Sequence, residues 1–159
     1  MIKSFVIVAI LLFTSAGCMN NNLAGIKTKQ LNSTQVYNQK ISVGKAGLWV
    51  EPVTDEAKME QGLSGRTALQ DNQGMLFDYG PGASLVPAFW MKEMKFNLDF
   101  IWIKNNRVVE ITKNVAAPSS PEEQLKLYSP KQSIDSVLEV NAGWSERNRI
   151  QINDTITKN

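Results

Sequence analysis

The segment Leu98-Asp99-Phe100-Ile101-Trp102-Ile103 constrains the fold more than any other part of the chain. Successive side chains of a strand point to opposite faces, so this run is apolar on both faces except at Asp99. A strand of that kind belongs at the centre of a sheet covered on both sides. Asp99 falls on the same side as Ile101 and Ile103, which turns its carboxylate toward a buried surface. A carboxylate there needs hydrogen bonds or a cation, or its pKa rises.

The remaining pattern is one of short strands. Leu48 to Val50, Gly74 to Phe77, Val137 to Asn141 and Ile150 to Ile156 read as strands, and Asn105-Asn106 as a tight hairpin turn into Arg107 to Asn114. Thr54 is placed to cap a short helix from Asp55 to Gln61, with Gly62 as its stop. Glu122 to Leu127 reads as one or two helical turns, and Ala142 to Arg147 as a turn in which Trp144 is either exposed or caps the core. Trp102 alternates with Leu98 and Phe100 and reads as core. Many strands with little helix predict an α+β fold that is mostly β: a compact antiparallel barrel or sandwich with one or two short peripheral helices.

The N-terminal segment bears on location. Lys3 is followed by the apolar run Phe5 to Phe13, then Ser15-Ala16-Gly17 and the only cysteine, Cys18. A basic start, a short apolar run and small residues before the cut are the parts of a secretory signal. The run is too short to span a bilayer, which takes about 20 apolar residues. Ser-Ala-Gly-Cys has the form of a lipobox, which makes Cys18 the lipidation site and a lipid the link to the membrane. An unpaired thiol in an oxidising compartment is otherwise a liability. Met19 rather than Asp follows the cysteine. The expectation is therefore export and anchoring on the periplasmic side of a bacterial membrane, with the outer membrane favoured. Residues 1–17 are then the signal peptide. Residues 18–40, rich in Asn, Gln, Ser, Thr and Lys, form a flexible tether, and 41–159 one globular domain.

Composition narrows the chemistry. The sequence has no histidine, so no Ser-His or Cys-His nucleophile and no imidazole metal site can be built. No metal or cofactor is expected. The formal charge is +2 with no basic cluster, which argues against a nucleic-acid partner. Ser42-Val43-Gly44-Lys45 matches a Ser-x-x-Lys pattern, but that pair needs a helix and the segment reads as strand or linker.

Gly62-Leu63-Ser64-Gly65-Arg66, Gly74-Met75-Leu76-Phe77, Phe89-Trp90-Met91-Lys92 and Leu98-Asp99-Phe100-Ile101 follow one another in order. Asn114, Ala117-Pro118, Tyr128 and Leu138-Glu139-Val140-Asn141-Ala142-Gly143 come later. Together they resemble the domain of unknown function 192 family over about Leu48 to Ile156. The resemblance implies a small, mostly-β, often exported domain and implies no activity. Members often continue Trp-Met-Lys with Asn-Thr and carry Pro before Leu-Asp, where this chain has Glu93, Met94 and Asn97. Many exported members carry cysteines around the Ala-Pro to Tyr loop, and this chain has none there, so no disulfide role applies.

The residues that could form a site are Arg66, Trp90, Met91, Lys92, Asp99, Tyr128 and Glu139. Asp99 and Glu139 are the two acids in apolar strands, and Arg66 and Lys92 the natural counter-charges. A direct or water-bridged Asp99–Arg66 contact is expected. The loops Pro81 to Met91 and Ala117 to Tyr128 are expected to border one concave site, with Trp90 or Tyr128 as a stacking wall. Each of these residues has a plain alternative: the carboxylates bind backbone amides and the aromatics are core. Three functions remain open. One is a small envelope module that binds a polar ligand and catalyses nothing. Another is a structural or protein-interaction lipoprotein. The third is a hydrolase using Asp99 and Glu139 as an acid/base pair, which would need both carboxyls across one open cleft.

Overall fold

The computed structural model describes residues 37–158. The elements run β1 (Gln39–Val43), β2 (Ala46–Val53), α1 (Glu56–Gln61), β3 (Gln73–Asp78), β4 (Leu98–Lys104), β5 (Arg107–Val115), β6 (Ser136–Asn141), α2 (Trp144–Arg147) and β7 (Ile156–Lys158). The strands form one seven-stranded sheet in the order β5-β4-β6-β3-β2-β1-β7. The fold is mostly β with two short helices, as the alternation pattern predicts. The sheet is a curled half-barrel. At one end of β5, Val108 N–H donates to Asp154 O at 2.9 Å, and Asn153 N–H to Val108 O at 2.8 Å. This brings β5 to the segment leading into β7, but no ladder forms and the barrel is not closed.

The strand Leu98–Lys104 is central, flanked by β5 and β6, and every residue from Leu98 to Ile103 is buried. Each face of the sheet carries its own core. One joins residues from all seven strands, among them Ile41, Val50, Leu76, Ile101, Val140 and Ile156. The other packs Met75, Phe77, Phe100, Trp102 and Val137 beneath Leu63, Met91, Met94 and Ile134 from the connections.

Several expectations are corrected. The β2–β3 pair is parallel, with Trp49 opposite Gln73 and Val53 opposite Phe77, so the sheet is not wholly antiparallel. The cause is the connection: α1 and the segment after it carry the chain back to the end from which β2 started. Asp55, not Thr54, caps α1, its carboxylate accepting from Lys58 N at 3.0 Å, while Gly62 ends the helix with positive φ. Glu122 to Leu127 is not helical. There the Ser119 N–H and hydroxyl both donate to Glu123 Oε2 at 2.7 Å and fold the segment as a loop. Trp144 is buried, because Trp144–Arg147 forms α2 and packs its first residue into the seven-strand core. The late strand shrinks to Ile156–Lys158, since Arg149 and Asn153 take positive φ and bend the chain before it. Ser42 lies in β1 and Lys45 in the following turn, so no helix joins the Ser-x-x-Lys pair.

Candidate functional site

β6 is the strand that matters for a site. It lies between β3 and β4, and Glu139 stands opposite Met75 on one side and Phe100 on the other. Its neighbour Val140 stands opposite Asp99. Because side chains alternate, Asp99 and Glu139 occupy opposite faces of the sheet. They cannot share a cleft, and the expected acid/base pair is not assembled.

Asp99 is fully buried and saturated with donors. One oxygen accepts from Asn114 N at 2.9 Å and Gly143 N at 3.2 Å, the other from Ser145 N at 3.0 Å and Ser145 Oγ at 2.6 Å. The expected Asp99–Arg66 contact does not occur. Arg66 Nη2 lies 2.8 Å from Glu51 Oε2, and its Nη1 donates to the Tyr37 hydroxyl at 2.9 Å. The Glu51 oxygen accepts no aligned hydrogen bond, so that contact is a charge pair. Glu51, Met75, Glu139 and Phe100 form one row across β2, β3, β6 and β4, which puts Glu51 and Arg66 on the Glu139 face. Sequence reasoning missed Glu51 and Ser145. The first depends on the parallel β2–β3 register and the second on how α2 meets β4, and neither leaves a local signal.

Glu139 is the opposite case. It is 5 % exposed, and among the described residues no donor reaches its carboxylate. Burial pushes its pKa up to about 8, and the Arg66 charge only partly pulls it back. The carboxyl lines a cavity of about 220 Å³ between the end of α1 and the segment Pro87–Trp90. The aromatic residues Phe77, Tyr79, Phe89 and Trp90 also line the cavity, as does the exposed Glu60. The Tyr79 phenol is pushed up to about 12, first by burial and then by the Glu139 charge.

β3 and β6 meet closely enough to fix the Glu139 backbone. A Cβ at Gly74 would lie 2.9 Å from Glu139 O and 3.0 Å from Leu138 Cδ1. The Pro87–Trp90 wall is also held firmly. Phe89 and Tyr128 exchange N–H···O bonds of 2.9 Å, as do Leu85 and Ile134 at 3.0 and 2.8 Å. The Phe89 ring packs edge-on against Phe77 and Trp102, with centroids 5.0 and 5.6 Å apart. Trp90 follows at the rim and stays 42 % exposed, with Lys92 Nζ 5.9 Å from its ring centroid.

The two loops singled out in the sequence thus meet at Phe89 and Tyr128, but the candidate residues separate. Trp90 and Glu139 line the cavity, Lys92 lies over Trp90, and Arg66 acts on Glu139 through its charge. Met91 is buried in the core and lines, with Tyr128, a hollow other than the Glu139 cavity. Tyr128 packs edge-on against Phe100 at 5.9 Å and lines a different, smaller hollow. Asp99 belongs to the other face. Cys18 lies outside the described residues. Among the described residues no three Cys, Asp or Glu side chains cluster to hold a metal.

Two solved structures are similar in fold. One, from Sinorhizobium meliloti 1021, is described as a candidate transcription regulator. It is 25 % identical with a TM-score of 0.66, over 76 % of this chain and 92 % of that one. The other is a protein of unknown function from Novosphingobium aromaticivorans, 27 % identical with a TM-score of 0.64, over 74 % of this chain and 83 % of that one. No curated protein matches. The profile of DUF192, described as an uncharacterised ACR, matches residues 39–158, which is every strand and both helices. The chain belongs to the DUF192 family.

Proposed function

We propose that this chain is a cell-envelope lipoprotein, anchored through Cys18, whose folded domain is a small ligand-binding module. The observation that carries this reading is Glu139: a buried carboxyl without a hydrogen-bond donor, at a cavity whose rim bears a half-exposed tryptophan. An acid left in that state is costly to the fold, and perturbed carboxyls in clefts mark functional sites. A structural role for the same burial is already filled by Asp99, which makes all its bonds within the protein. The carboxylate-pair hydrolase loses its basis because the two acids lie on opposite faces. The name of the Sinorhizobium relative is not carried over, since this sequence has no basic cluster.

The test is a melting-temperature screen of the full chain in detergent against sugars, amines, peptidoglycan fragments and divalent cations. A ligand that binds the folded state raises the midpoint by mass action. Binding in the Glu139 cavity predicts shifts that vanish in both Glu139→Gln and Trp90→Ala. Shifts indifferent to both variants, or none with any compound, would favour the structural or protein-interaction lipoprotein.

A further inference from the structure

The cavity walls carry a charge pattern that narrows the ligand. Glu60 and Glu139 both line it, and no lysine or arginine does. Arg66, the cation nearest in effect to Glu139, is engaged by Glu51 at 2.8 Å and by the Tyr37 hydroxyl at 2.9 Å. Its charge still reaches Glu139 but offsets only part of the cost of burying that carboxyl. Four aromatic residues line the same space, and aromatic faces attract cations. The Trp90 ring already has one on it, the Lys92 ammonium at 5.9 Å. At about 220 Å³ the cavity is smaller than sites for drug-sized ligands, which start near ~300 Å³, and suits one short chain.

We infer that the Glu139 cavity binds an alkylammonium group, its charged end against the Glu139 carboxylate and its methylenes against the aromatic wall. This rests on the ligand-binding reading above and specifies the ligand's chemistry. The ammonium supplies both things Glu139 lacks, a positive charge and hydrogen-bond donors. A sugar or other neutral ligand supplies only donors and makes no use of the second acid, and an anion would be repelled.

Protons should move with the ligand. The ionisable groups around Glu139 are Arg66, which acts on it by charge, Tyr79 at the end of β3, Glu51 in the same row on β2, and Glu60 of α1, which shares the cavity lining; β4 adds only the apolar Leu98 and Phe100. Near neutral pH the Glu139 carboxyl holds its proton, and an entering ammonium displaces it. Binding should therefore tighten as pH rises from 6 toward 8, while the amine itself, near ~10.4, stays charged.

The probes are n-butylammonium, its neutral isostere 1-butanol, and butyrate, measured by calorimetry on the full chain in detergent. The expected result is binding of butylammonium at least tenfold tighter than of either control. Up to one proton should be released at pH 7, read from the difference between two buffers of unlike ionisation enthalpy. Glu139→Gln should abolish the proton release and weaken binding at least tenfold. Trp90→Ala, a change at an exposed rim, should weaken it severalfold. Nα-acetyl-lysine amide and its Nε-acetylated form separate the two sources of the group. Tighter binding of the lysine derivative than of butylammonium points to a lysyl side chain, and the reverse to a free amine. Equal affinity for butylammonium and butanol, or proton release unchanged in Glu139→Gln, would overturn the inference. If sugars bind the cavity while amines do not, the inference falls and the ligand-binding reading stands. If nothing binds, both fall.

Discussion

Asp99 and Glu139 are the same functional group in comparable burial, solved in opposite ways. Asp99 accepts four hydrogen bonds, from residues 15, 44 and 46 positions further along the chain. Glu139 accepts none from the described residues, so desolvation dominates and its pKa moves from 4.5 to about 8. The sign of the stability effect follows. Below pH 4.5 the group is protonated whether the chain is folded or not, and burial of a neutral acid is tolerated. Between 4.5 and about 8 the folded protein keeps a proton that the unfolded chain releases, so stability falls as pH rises, levelling above about 8. The full effect is on the order of 5 kcal/mol. Glu139→Gln should remove it: variant and parent should be of similar stability near pH 4, and the variant increasingly the more stable toward pH 9, as read by urea unfolding across that range. Parallel pH curves for the two proteins would mean that Glu139 is not desolvated in the native state. The burial of both acids was legible in the alternation of their strands. Their difference was not, because it depends on which backbone amides arrive from distant turns, and spacing along one strand carries no record of that.

At the scale of elements, Asp99 acts as a fastener. The short helix α2 begins at Gly143, whose left-handed backbone offers no side-chain cap. Asp99 on β4 takes that role from outside the helix, accepting from Gly143 N and Ser145 N while also holding Asn114 N near the end of β5. Asp99→Ala should cost ~3–5 kcal/mol, since it strands several donors in a dry site. Asp99→Asn should lose a large part of that, because both oxygens act as acceptors and an amide offers only one. Chemical denaturation decides it, and an Asn variant as stable as the parent would show that the number of acceptors is not what matters. The same connection shows why some elements were readable and others not. β4, its Asn105-Asn106 hairpin and α1 announce themselves through alternation, turn residues and capping. The parallel β2–β3 register and α2 do not: one is set by a crossover, the other by a cap supplied from another strand.

At the scale of the whole molecule, a mostly-β domain followed from the many short strands, while the incomplete closure of the sheet did not. Closure depends on whether the β5 and β7 edges meet along their length, and here they meet only where residues 153–156 touch the Asn106–Val108 end of β5. Where the protein resides is a question for the first residues, which lie outside the described part. The motive for a lipid anchor is the order Lys3, Phe5 to Phe13, Ser15-Ala16-Gly17-Cys18, with no other cysteine in the sequence. A stretch of this length is too short to span a bilayer as a helix, so under the proposed anchor attachment rests on acyl chains, of which a single one gives only marginal, reversible binding. In a bacterial host, the parent should therefore take up labelled fatty acid, run at the mass of a chain starting at Cys18, and stay with membranes through high-salt and carbonate washes. Cys18→Ser should lose the label and accumulate as the uncleaved precursor. A Cys18→Ser protein that is cleaved normally and still resists the washes would remove the lipoprotein from this account, and with it the reason for placing the Glu139 cavity in the cell envelope.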